Sequence, residues 1–362
     1  MLSGNDNESG ACMILKKLRE LKGDEILARD ILTRDYNVIL TQGAVLRKDY
    51  IQKLEELGIS EVYVKPREGE VSQIAILKSE TEESIKATVR NILERHTYQN
   101  SQELAELVEA ADNIISDILE EKQVIEKIFD IKERSADIYE HSINISALAI
   151  LTALKLGVER ENIHDIGVGC LLHDIGLRYL TFDYNNQDVG TLNKQELTEY
   201  KKHPVYGYSA LQNEPWISEP SKAVILYHHE RLDGSGFPLH RKDIPLECRI
   251  VAVCDTFDEM ICGIACRGVK VHEAIEYLKS YKKILFDDKI VDVFLGFTAV
   301  YPAGTHVLTN EGEEAVVLSQ NMNFQDRPVI KILKDKNGNP VNGEVIKDLV
   351  KIHNIFIERA ID

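Results

Sequence analysis

The sequence predicts a mainly α-helical protein of several domains, with an all-α middle domain between a small N-terminal α+β domain and a small C-terminal β-barrel-like domain. Its 362 residues exceed one ordinary core, since a domain takes about 150 residues. A long central stretch repeats apolar residues every three or four positions, which is typical of amphipathic helices. After Val300 short β-like runs alternate with turn signals instead.

The N-terminal domain is predicted over residues 12–66. The run ILARDILTRDYNVILTQGAVL alternates apolar and polar residues, RKDYIQKLEELG has helical spacing, and SEVYVK closes the unit as a strand. The polar string PREGE then marks a boundary. Residues 67–130 are predicted as a helical linker region, because ELAELVEAADNIISDILEEKQVIEKIF places apolar residues on one helix face.

The middle domain is predicted over residues 131–298 and the C-terminal domain over residues 299–362. Helical strings such as SKAVILYHHE and RIVAVCDTFDEMI continue to about Leu295, interrupted by turns. The runs HVLTN, EAVVLSQ, PVIKILKD and IFIER follow, separated by turn signals such as NEGE and KNGNP. A small barrel or sandwich is therefore expected at the C-terminal end.

Composition favours a soluble cytoplasmic protein. Hydrophobic residues make up 44% and charged residues 28% of the chain, and no apolar stretch approaches the ~20 residues of a membrane span. The first residues, MLSGNDNESG, lack the basic start and apolar core of a signal peptide. The six cysteines are scattered without a disulfide-like spacing, which favours a reducing compartment.

The charge balance argues against DNA or RNA as a partner. Sixty acidic residues against 43 basic ones give a formal net charge of −17, which repels a nucleic-acid backbone. An anionic substrate requires local positive charge at its site. Bound divalent metals are the most concentrated source of such charge.

Chemistry is indicated by histidines that cluster beside acids in the middle domain. A single histidine on an apolar helix is usually an interior residue, but five such strings fall within about 120 residues. The strings are DIYEHS with Asp137 and His141, LLHDIG with His173 and Asp174, KKHPVYG with His203, YHHERLDGSGFP with His228 and His229, and AVCDTFDEM with Asp255. Their conjunction predicts a metal centre.

The ligand types indicate the reaction. Imidazole and carboxylate together suit Fe, Mn or Zn, whereas thiolates would point to structural zinc. His173 and Asp174 are adjacent and can each reach a metal, and an aspartate can bridge two metals with its two oxygens. Two metals ~3.5–4 Å apart activate water and clamp phosphoryl oxygens. We therefore predict phosphate-ester hydrolysis, with His173 and Asp174 as the catalytic pair and no organic cofactor.

Two HDIG strings compete for this role. His164 and Asp165 precede His173 and Asp174 by nine positions, which is a rotation of ~900° and places the pairs on opposite helix faces. The second string follows the apolar run VGCLL and ends at Gly176, as a buried helix terminus does. We therefore assign the metal to the second string and interpret the first as a helix start.

Three acids have less specific roles. Asp137 lies four residues before His141 and shares its helix face, so it is either a ligand of a third metal or a solvated helix acid. Glu230 and Asp233 are expected to support the site. They either accept the second N–H of ligand histidines or orient the loop that follows them.

At these residues the chain resembles the HD-GYP family, bacterial phosphodiesterases of cyclic di-GMP within the HD phosphohydrolase superfamily. The resemblance runs from roughly Ile131 to Ile261 through LLHDIG, LTEYKKHPVYGYSAL, HHERLDGSGFP and CRIVAVCDTFDEM. It implies an HD-type helical domain with two divalent metals, Fe or Mn, and a third where Asp137 replaces the glutamate of some members. The ligands that it implies are His141, His173, Asp174, His203, His228, His229 and Asp255.

The chain departs from the family pattern at two places. The family's GYP is here Gly236, Phe237 and Pro238, which keeps the aromatic ring and the turn but removes a hydroxyl. The lysine that commonly follows HDxG is Leu177, so one positive contact to a substrate phosphate is missing. The predicted substrate-binding residues are the basic Arg178 and Arg267 together with Gly236, Phe237 and Pro238.

The resemblance implies hydrolysis of cyclic di-GMP, or of a related ring such as mixed GMP-AMP, to the linear dinucleotide or mononucleotides. One alternative is a catalytically weak or silent receptor that docks onto a signalling protein, because Leu177 replaces lysine. Another is an HD-type nucleotide phosphohydrolase acting on mononucleotides. The long helices at residues 103–129 either pair between chains, which favours a homodimer, or complete the core of the middle domain. The roles of the terminal domains stay open.

Overall fold

The computed structural model describes residues 14–28, 31–32, 38–56, 59, 61–65, 85–86, 88–89, 109–116, 118, 137–182, 184, 188–321, 323–341 and 343–361. The PREGE boundary and most of the predicted linker and dimer helices lie outside these residues. The chain divides into two compact units. One unit comprises residues 1–79, 303–320 and 327–362, and the other comprises residues 80–302 and 321–326.

The N-terminal segment contains short antiparallel strand pairs and a helix. The described pairs are β1 (Ile14–Lys17) with β6 (Glu61–Val64), β2 (Glu25–Ile26) with β5 (Val45–Leu46), and β3 (Ile31–Leu32) with β4 (Val38–Leu40), and α1 spans Lys48–Glu56. A hydrophobic cluster that includes Leu27, Leu46, Leu54 and Val64 holds them together. The helix contributes Leu54 to this cluster, so its apolar face is the one that packs against the strands.

The C-terminal segment forms the small sheet that the alternating pattern predicts. Its strands are β7 (His306–Thr309), β8 (Glu314–Asn321), β9 (Phe324–Lys334), β10 (Ile346–Asp348) and β11 (Ile357–Ala360), in the order β10-β9-β8-β7-β11. In β9, Pro328, Ile330 and Ile332 are buried while their neighbours are not, as expected for a strand with one covered face. The small sheet is confirmed, and barrel-like closure stays a prediction.

The middle of the chain is helical, as predicted. The described helices are α2 (Ile138–Lys155), α3 (Arg160–Leu172), α4 (Lys194–Tyr200), α5 (His203–Leu211), α6 (Glu219–Tyr227), α7 (Leu246–Cys262), α8 (Val271–Ser280) and α9 (Asp288–Phe297). Helix α2 packs against α3 and α7, and α3 packs against α6. In the described parts of the chain no helix is both long enough and apolar enough to cross a membrane.

The ends of these helices are set by local sequence. Asp137 caps α2, since its carboxylate accepts the backbone N–H groups of Tyr139 and Glu140. Helix α7 ends at Gly263, whose φ of 70° is the left-handed conformation that glycine adopts easily. These two helices are central to the site because each carries ligand residues on a buried face.

Gly176, the glycine of the second HDIG string, permits a close backbone approach. A short 3-10 segment, Ile175–Tyr179, packs directly on α5. A Cβ atom at Gly176 would lie 1.8 Å from the carbonyl oxygen of His203 and 2.7 Å from the backbone nitrogen of Gly207. Only glycine fits there, and this contact brings Asp174 beside His203.

Candidate metal centre

The predicted ligand residues lie at helix ends and on one buried helix face. His141 is in the first turn of α2, His173 caps the end of α3, Asp174 follows it, His203 begins α5, His228 and His229 follow α6, and Asp255 is inside α7. All the histidines among them are at most 7% exposed, and Asp255 is fully buried. The structure thus brings together residues that lie up to 114 positions apart in the sequence.

The side chains form two adjoining groups. In the first group the ligand atoms of Asp174, His203, His228 and His229 lie within 4.8 Å of one another, and in the second group those of His141, His173 and Asp255 do so. Asp174 connects the groups. One of its oxygens is 3.2 Å from Nε2 of His203 and the other is 3.2 Å from Nε2 of His173.

Backbone carbonyls orient three of the histidines. Nδ1 of His173 is 2.7 Å from the carbonyl oxygen of Cys170, and Nδ1 of His203 is 2.8 Å from that of Tyr200. Nδ1 of His228 is 3.0 Å from the carbonyl oxygen of Ile225. Because a carbonyl only accepts, each Nδ1 must carry the proton, and each Nε2 lone pair is left facing the cluster.

His141 is oriented by a carboxylate instead. Its Nδ1 lies 2.8 Å from Oδ2 of Asp258, and its Nε2 lies 3.2 Å from Oδ1 of Asp255. Both acids are fully buried on α7, three residues apart. This is the arrangement in which an acid holds a ligand imidazole from behind and raises its basicity.

The donor set fits a divalent metal. Nε2 atoms of His203 and His228 are 3.2 Å apart, and in the tautomer that the carbonyls impose two lone pairs face each other. Within the described part of the chain, Nε2 of His141, Nε2 of His173 and both oxygens of Asp255 are buried without a hydrogen bond. Buried polar atoms are normally satisfied, and cations between these atoms would satisfy them.

The proton affinities of the first group favour ligand forms. Burial, together with the charges of His173 and His203, lowers the pKa of His228 to about 3. Burial and its histidine neighbours also lower the pKa of His229 well below its usual range. Burial alone would raise the pKa of Asp174, but its contacts with His173 and His203 hold it well below the ordinary value. Neutral imidazole and ionised carboxylate are the forms that bind metal.

In the second group the positive and negative charges compensate each other. Burial alone would lower the pKa of His141, but Asp255 and Asp258 raise it well above the usual value. The pKa of His173 is raised in the same way by Asp174 and Asp255 against its burial. Glu259 lies outside this group but near Asp255, and burial together with the negative charge of Asp255 raises its pKa well above its usual range. A metal would therefore displace protons from the second group.

The loop after His229 is tied to the site by Glu230. The carboxylate of Glu230 is buried and accepts the backbone N–H groups of Leu239 at 2.7 Å and Arg241 at 2.9 Å. Asp233 accepts the N–H of Ser235 at 2.8 Å in an exposed turn. Of the two predicted roles, the structure therefore places these acids in orienting the loop. His173, His203 and His228 use carbonyls instead, and His141 uses Asp258.

The same loop brings an aromatic ring onto a ligand. The ring of Phe237 stacks on His229, with centroids 4.4 Å apart and planes at 26°. Gly236 allows this because a Cβ there would lie 2.4 Å from the carbonyl oxygen of His229 and 2.5 Å from the backbone nitrogen of Arg231. Pro238 follows as half-buried backbone of the turn.

Replacing Glu230 by glutamine is expected to lower the free energy of unfolding by about 1–3 kcal/mol, because an amide NH₂ then faces a backbone N–H that loses its acceptor. Urea unfolding of the metal-free protein measures this. Glu161→Gln serves as the control, since Glu161 is exposed in the first turn of α3. Equal losses in both variants would contradict the anchoring role.

Asp137, the candidate ligand of a third metal, lies at the start of α2. Its carboxylate is the N-cap of α2 and forms an ion pair with Lys86 at 2.6 Å. It belongs to none of the ligand groups among the described residues. A capping carboxylate folds back over the start of the helix. Asp137 itself lies outside the helix, so its spacing of four from His141 does not put the two side chains on a shared face.

The first HDIG pair is also outside these groups, with His164 3.7 Å from Asp112.

The predicted substrate-binding arginines lie at different depths. Arg178 is half-buried, with its guanidinium 5.6 Å from the centroid of Tyr179, and Arg267 is exposed. Leu177 is 5% exposed and packs in the helical core. The roles of Arg178 and Arg267 therefore stay predictions.

Sequence reasoning missed four residues near the ligands. Asp258 and Glu259 follow Asp255 on α7, and Glu259 comes within 4.8 Å of the ligand atoms of His229 and Asp255. Arg231 donates to the carbonyls of His228 and Glu230 and to Thr256. Lys201 lies 5.7 Å from the Phe237 centroid. The spacings 255, 258 and 259 on one helix face could have revealed the two acids.

The helical fold and the buried His/Asp cluster define a metal-binding α-helical domain. The model of the HD domain family matches residues 76–290, and that of the KOW domain associated with HD domain matches residues 306–362. The first match covers more than half of the chain. This protein therefore belongs to the HD domain family, and its domain binds divalent metal.

Curated relatives include bacterial cyclic-dinucleotide phosphodiesterases. A cyclic di-GMP phosphodiesterase of Pseudomonas aeruginosa is 26% identical over 313 residues, which are 78% of this chain and 75% of the relative. A cyclic di-GMP phosphodiesterase response regulator of Xanthomonas campestris is 35% identical over 155 residues, 42% of this chain and 41% of the relative. The chain thus spans less than half of the second relative. These matches confirm the predicted resemblance to the HD-GYP branch.

A solved structure shares the fold. An HDG"Y"P protein from Bdellovibrio bacteriovorus aligns with a TM-score of 0.55 and 19% identity, covering 78% of this chain and 98% of that chain. At this identity the likeness concerns the fold alone. It confirms the HD-type helical fold that the motif strings predict.

Proposed function

We propose that this protein is a metal-dependent phosphodiesterase that hydrolyses cyclic di-GMP to linear pGpG, to GMP or to both, in bacterial second-messenger signalling. The observation that carries the proposal is the position of Asp174, with one carboxylate oxygen toward each of the two ligand groups. A carboxylate so placed suits a pair of divalent cations. The relatives with this activity support the choice of substrate.

Two cations, Fe or Mn, would be held by the two groups. The first group offers three imidazoles and a carboxylate, and the second offers two imidazoles and a carboxylate, a donor set that suits either metal. When bound, such a pair supplies Lewis acidity toward phosphoryl oxygens and toward water. Asp174 would bridge the pair, and the Nδ1 contacts of the histidines would hold the ligand atoms in place before metal arrives.

Substrate contacts would come from the rim of the cluster. Phe237 shields His229 on one side and offers the remaining ring face to a base or sugar. Lys201 places a positive charge beside this ring. Position 177, where the family commonly has a lysine, is a buried leucine and supplies no charge. Arg178 and Arg267 are further candidates for phosphate contacts, as are the backbone atoms of Gly236 and Pro238.

The relatives differ in the bases of the cyclic dinucleotide that they hydrolyse, although all are phosphodiesterases. One relative in Vibrio cholerae is a 3'3'-cGAMP-specific phosphodiesterase, 24% identical over 254 residues, 68% of this chain and 48% of that protein. The ligand cluster would bind the phosphate groups, which all cyclic dinucleotides share. Cyclic di-GMP is proposed as the main substrate on the strength of the more similar relatives.

Hydrolysis can be tested with protein purified anaerobically and loaded with Fe(II) or Mn(II). Cyclic di-GMP and 3'3'-cGAMP are incubated separately, and the products are separated by chromatography. Metal-dependent formation of pGpG or GMP is the expected result. If neither cyclic dinucleotide gave products with Fe(II) or with Mn(II), the proposal would be overturned.

One observation favours a second candidate, a catalytically weak or silent receptor. Leu177 is buried and cannot contact a phosphate as the family lysine does. In that case the metallated protein binds cyclic di-GMP without turnover and acts by docking onto a signalling partner. Calorimetric binding together with the product assay separates the two. A nucleotide phosphohydrolase would instead consume mononucleotides in the same assay.

The domain limits at residues 12–66, 67–130, 131–298 and 299–362 remain part of this proposal, as do the homodimer and the cytoplasmic location. Light scattering of the purified chain tests the dimer.

A further inference from the structure

Glu259 adds a third carboxylate to the centre, on the side of His229. Its carboxylate oxygen, a ligand atom of His229 and an oxygen of Asp255 all lie within 4.8 Å of one another. Glu259 is one helical turn after Asp255 on α7, so both side chains project from the same face. Neither the family resemblance nor the predicted ligand set contains this residue.

Among the described residues, the Asp255 carboxylate at this position makes no hydrogen bond, although histidines surround it. Asp255 is fully buried, and neither of its oxygens makes a hydrogen bond within the described residues. One oxygen lies 3.2 Å from His141 in the second group, while the other lies 3.9 Å from Nδ1 of His229. The second oxygen of Asp255 is therefore the one nearer to His229, whose group also contains Glu259.

The nearby guanidinium of Arg231 only partly offsets the charge of Glu259. Arg231 donates to the carbonyl oxygens of His228 and Glu230 and to the hydroxyl of Thr256, which fixes its orientation. Among the contacts described for the chain it forms no ion pair with Glu259. Two acids that face one another without a bound cation or proton are unfavourable in a buried site.

We infer that Glu259 and Asp255 form a third, exchangeable cation site for Mn²⁺ or Mg²⁺, which a substrate phosphate completes. His229 belongs to the first group, and one imidazole nitrogen binds only one cation. The third cation would therefore be bound mainly by the carboxylates of Asp255 and Glu259. Divalent cations of this type are commonly held by one or two carboxylates plus phosphate oxygens and water. The inference rests on the proposed two-cation centre.

The test is Mn²⁺ binding to the full-length protein after chelator treatment, measured from the electron paramagnetic resonance signal of free Mn²⁺ without any nucleotide. Wild type is expected to show a weak class beyond the tightly bound equivalents. In Glu259→Gln this class should be lost, or its Kd should rise about tenfold or more, while the tight class is retained. Glu259→Asp should restore part of it. Inorganic phosphate should tighten the weak class in the wild type only.

Glu247→Gln, on the same helix but outside the ligand groups of the described chain, is the matched control and should bind as the wild type does. Equal stoichiometry and affinity in Glu259→Gln and wild type would overturn the inference, as would loss of all Mn²⁺ classes together. If inorganic phosphate had no effect, the inference that a substrate phosphate completes the site would be overturned. Because the measurement uses no substrate, its result does not depend on whether the protein hydrolyses cyclic di-GMP. Thermal unfolding confirms that each variant folds.

Discussion

Asp174→Ala is expected to reduce hydrolysis of cyclic di-GMP by roughly three orders of magnitude or more and to lower the bound metal from two equivalents to one or none. The reason is the position of this carboxylate, whose oxygens are each 3.2 Å from a histidine of a different group. Removing it takes a ligand from the first group and the link to the second group at once. Metal analysis by mass spectrometry and the product assay measure the two effects.

Asp165→Ala is the matched control, since it removes the aspartate of the other HDIG string. Asp165 is half-exposed inside α3, and its hydrogen bond to Ser221 is made by the backbone carbonyl, which the substitution keeps. Activity and metal content are expected to stay close to those of the wild type. Loss of metal in Asp165→Ala with retention in Asp174→Ala would reverse the assignment of the two strings.

The clustered His and Asp residues could be predicted because each lies in a short, local sequence motif. A histidine directly after an apolar helix, such as His173, lies at a helix end, where backbone carbonyls three residues earlier accept its Nδ1 proton. The three histidines oriented in this way therefore share a geometry that the sequence implies. His141 differs because Asp258, which orients it, is 117 residues away in the chain.

The remaining features depend on tertiary packing that periodicity does not encode. Whether Glu259 faces the ligands or solvent depends on which face α7 presents, and an acid in an amphipathic helix is usually on the solvated side. Asp137 uses its carboxylate to cap α2 and is in none of the ligand groups of the described residues, although its spacing from His141 matches a shared face. In the C-terminal sheet, β11 pairs with β7 across about 50 residues, a contact that turn signals between neighbours do not predict.

Gly176→Ala is expected to lower the free energy of unfolding by about 3 kcal/mol or more and to weaken metal binding. The added Cβ would lie 1.8 Å from the carbonyl oxygen of His203, and a backbone atom cannot rotate away as a side chain can. The 3-10 segment and α5 must separate, which lengthens the 3.2 Å distance between Asp174 and His203. Urea unfolding and Mn²⁺ binding measure the two consequences.

Gly296→Ala shows what a glycine-to-alanine change does without a clash. Gly296 lies near the end of α9, its Cβ would have no heavy atom within 4 Å, and alanine is the better helix former by about 0.5–1 kcal/mol. This variant should unfold at the same or a higher urea concentration than the wild type and bind the same metal. If Gly176→Ala behaved like it, the close approach of the HDIG turn to α5 could not be what holds Asp174 beside His203. The two variants are therefore expected to change the free energy of unfolding in opposite directions. This difference tests whether Gly176 acts through backbone packing rather than through the reaction.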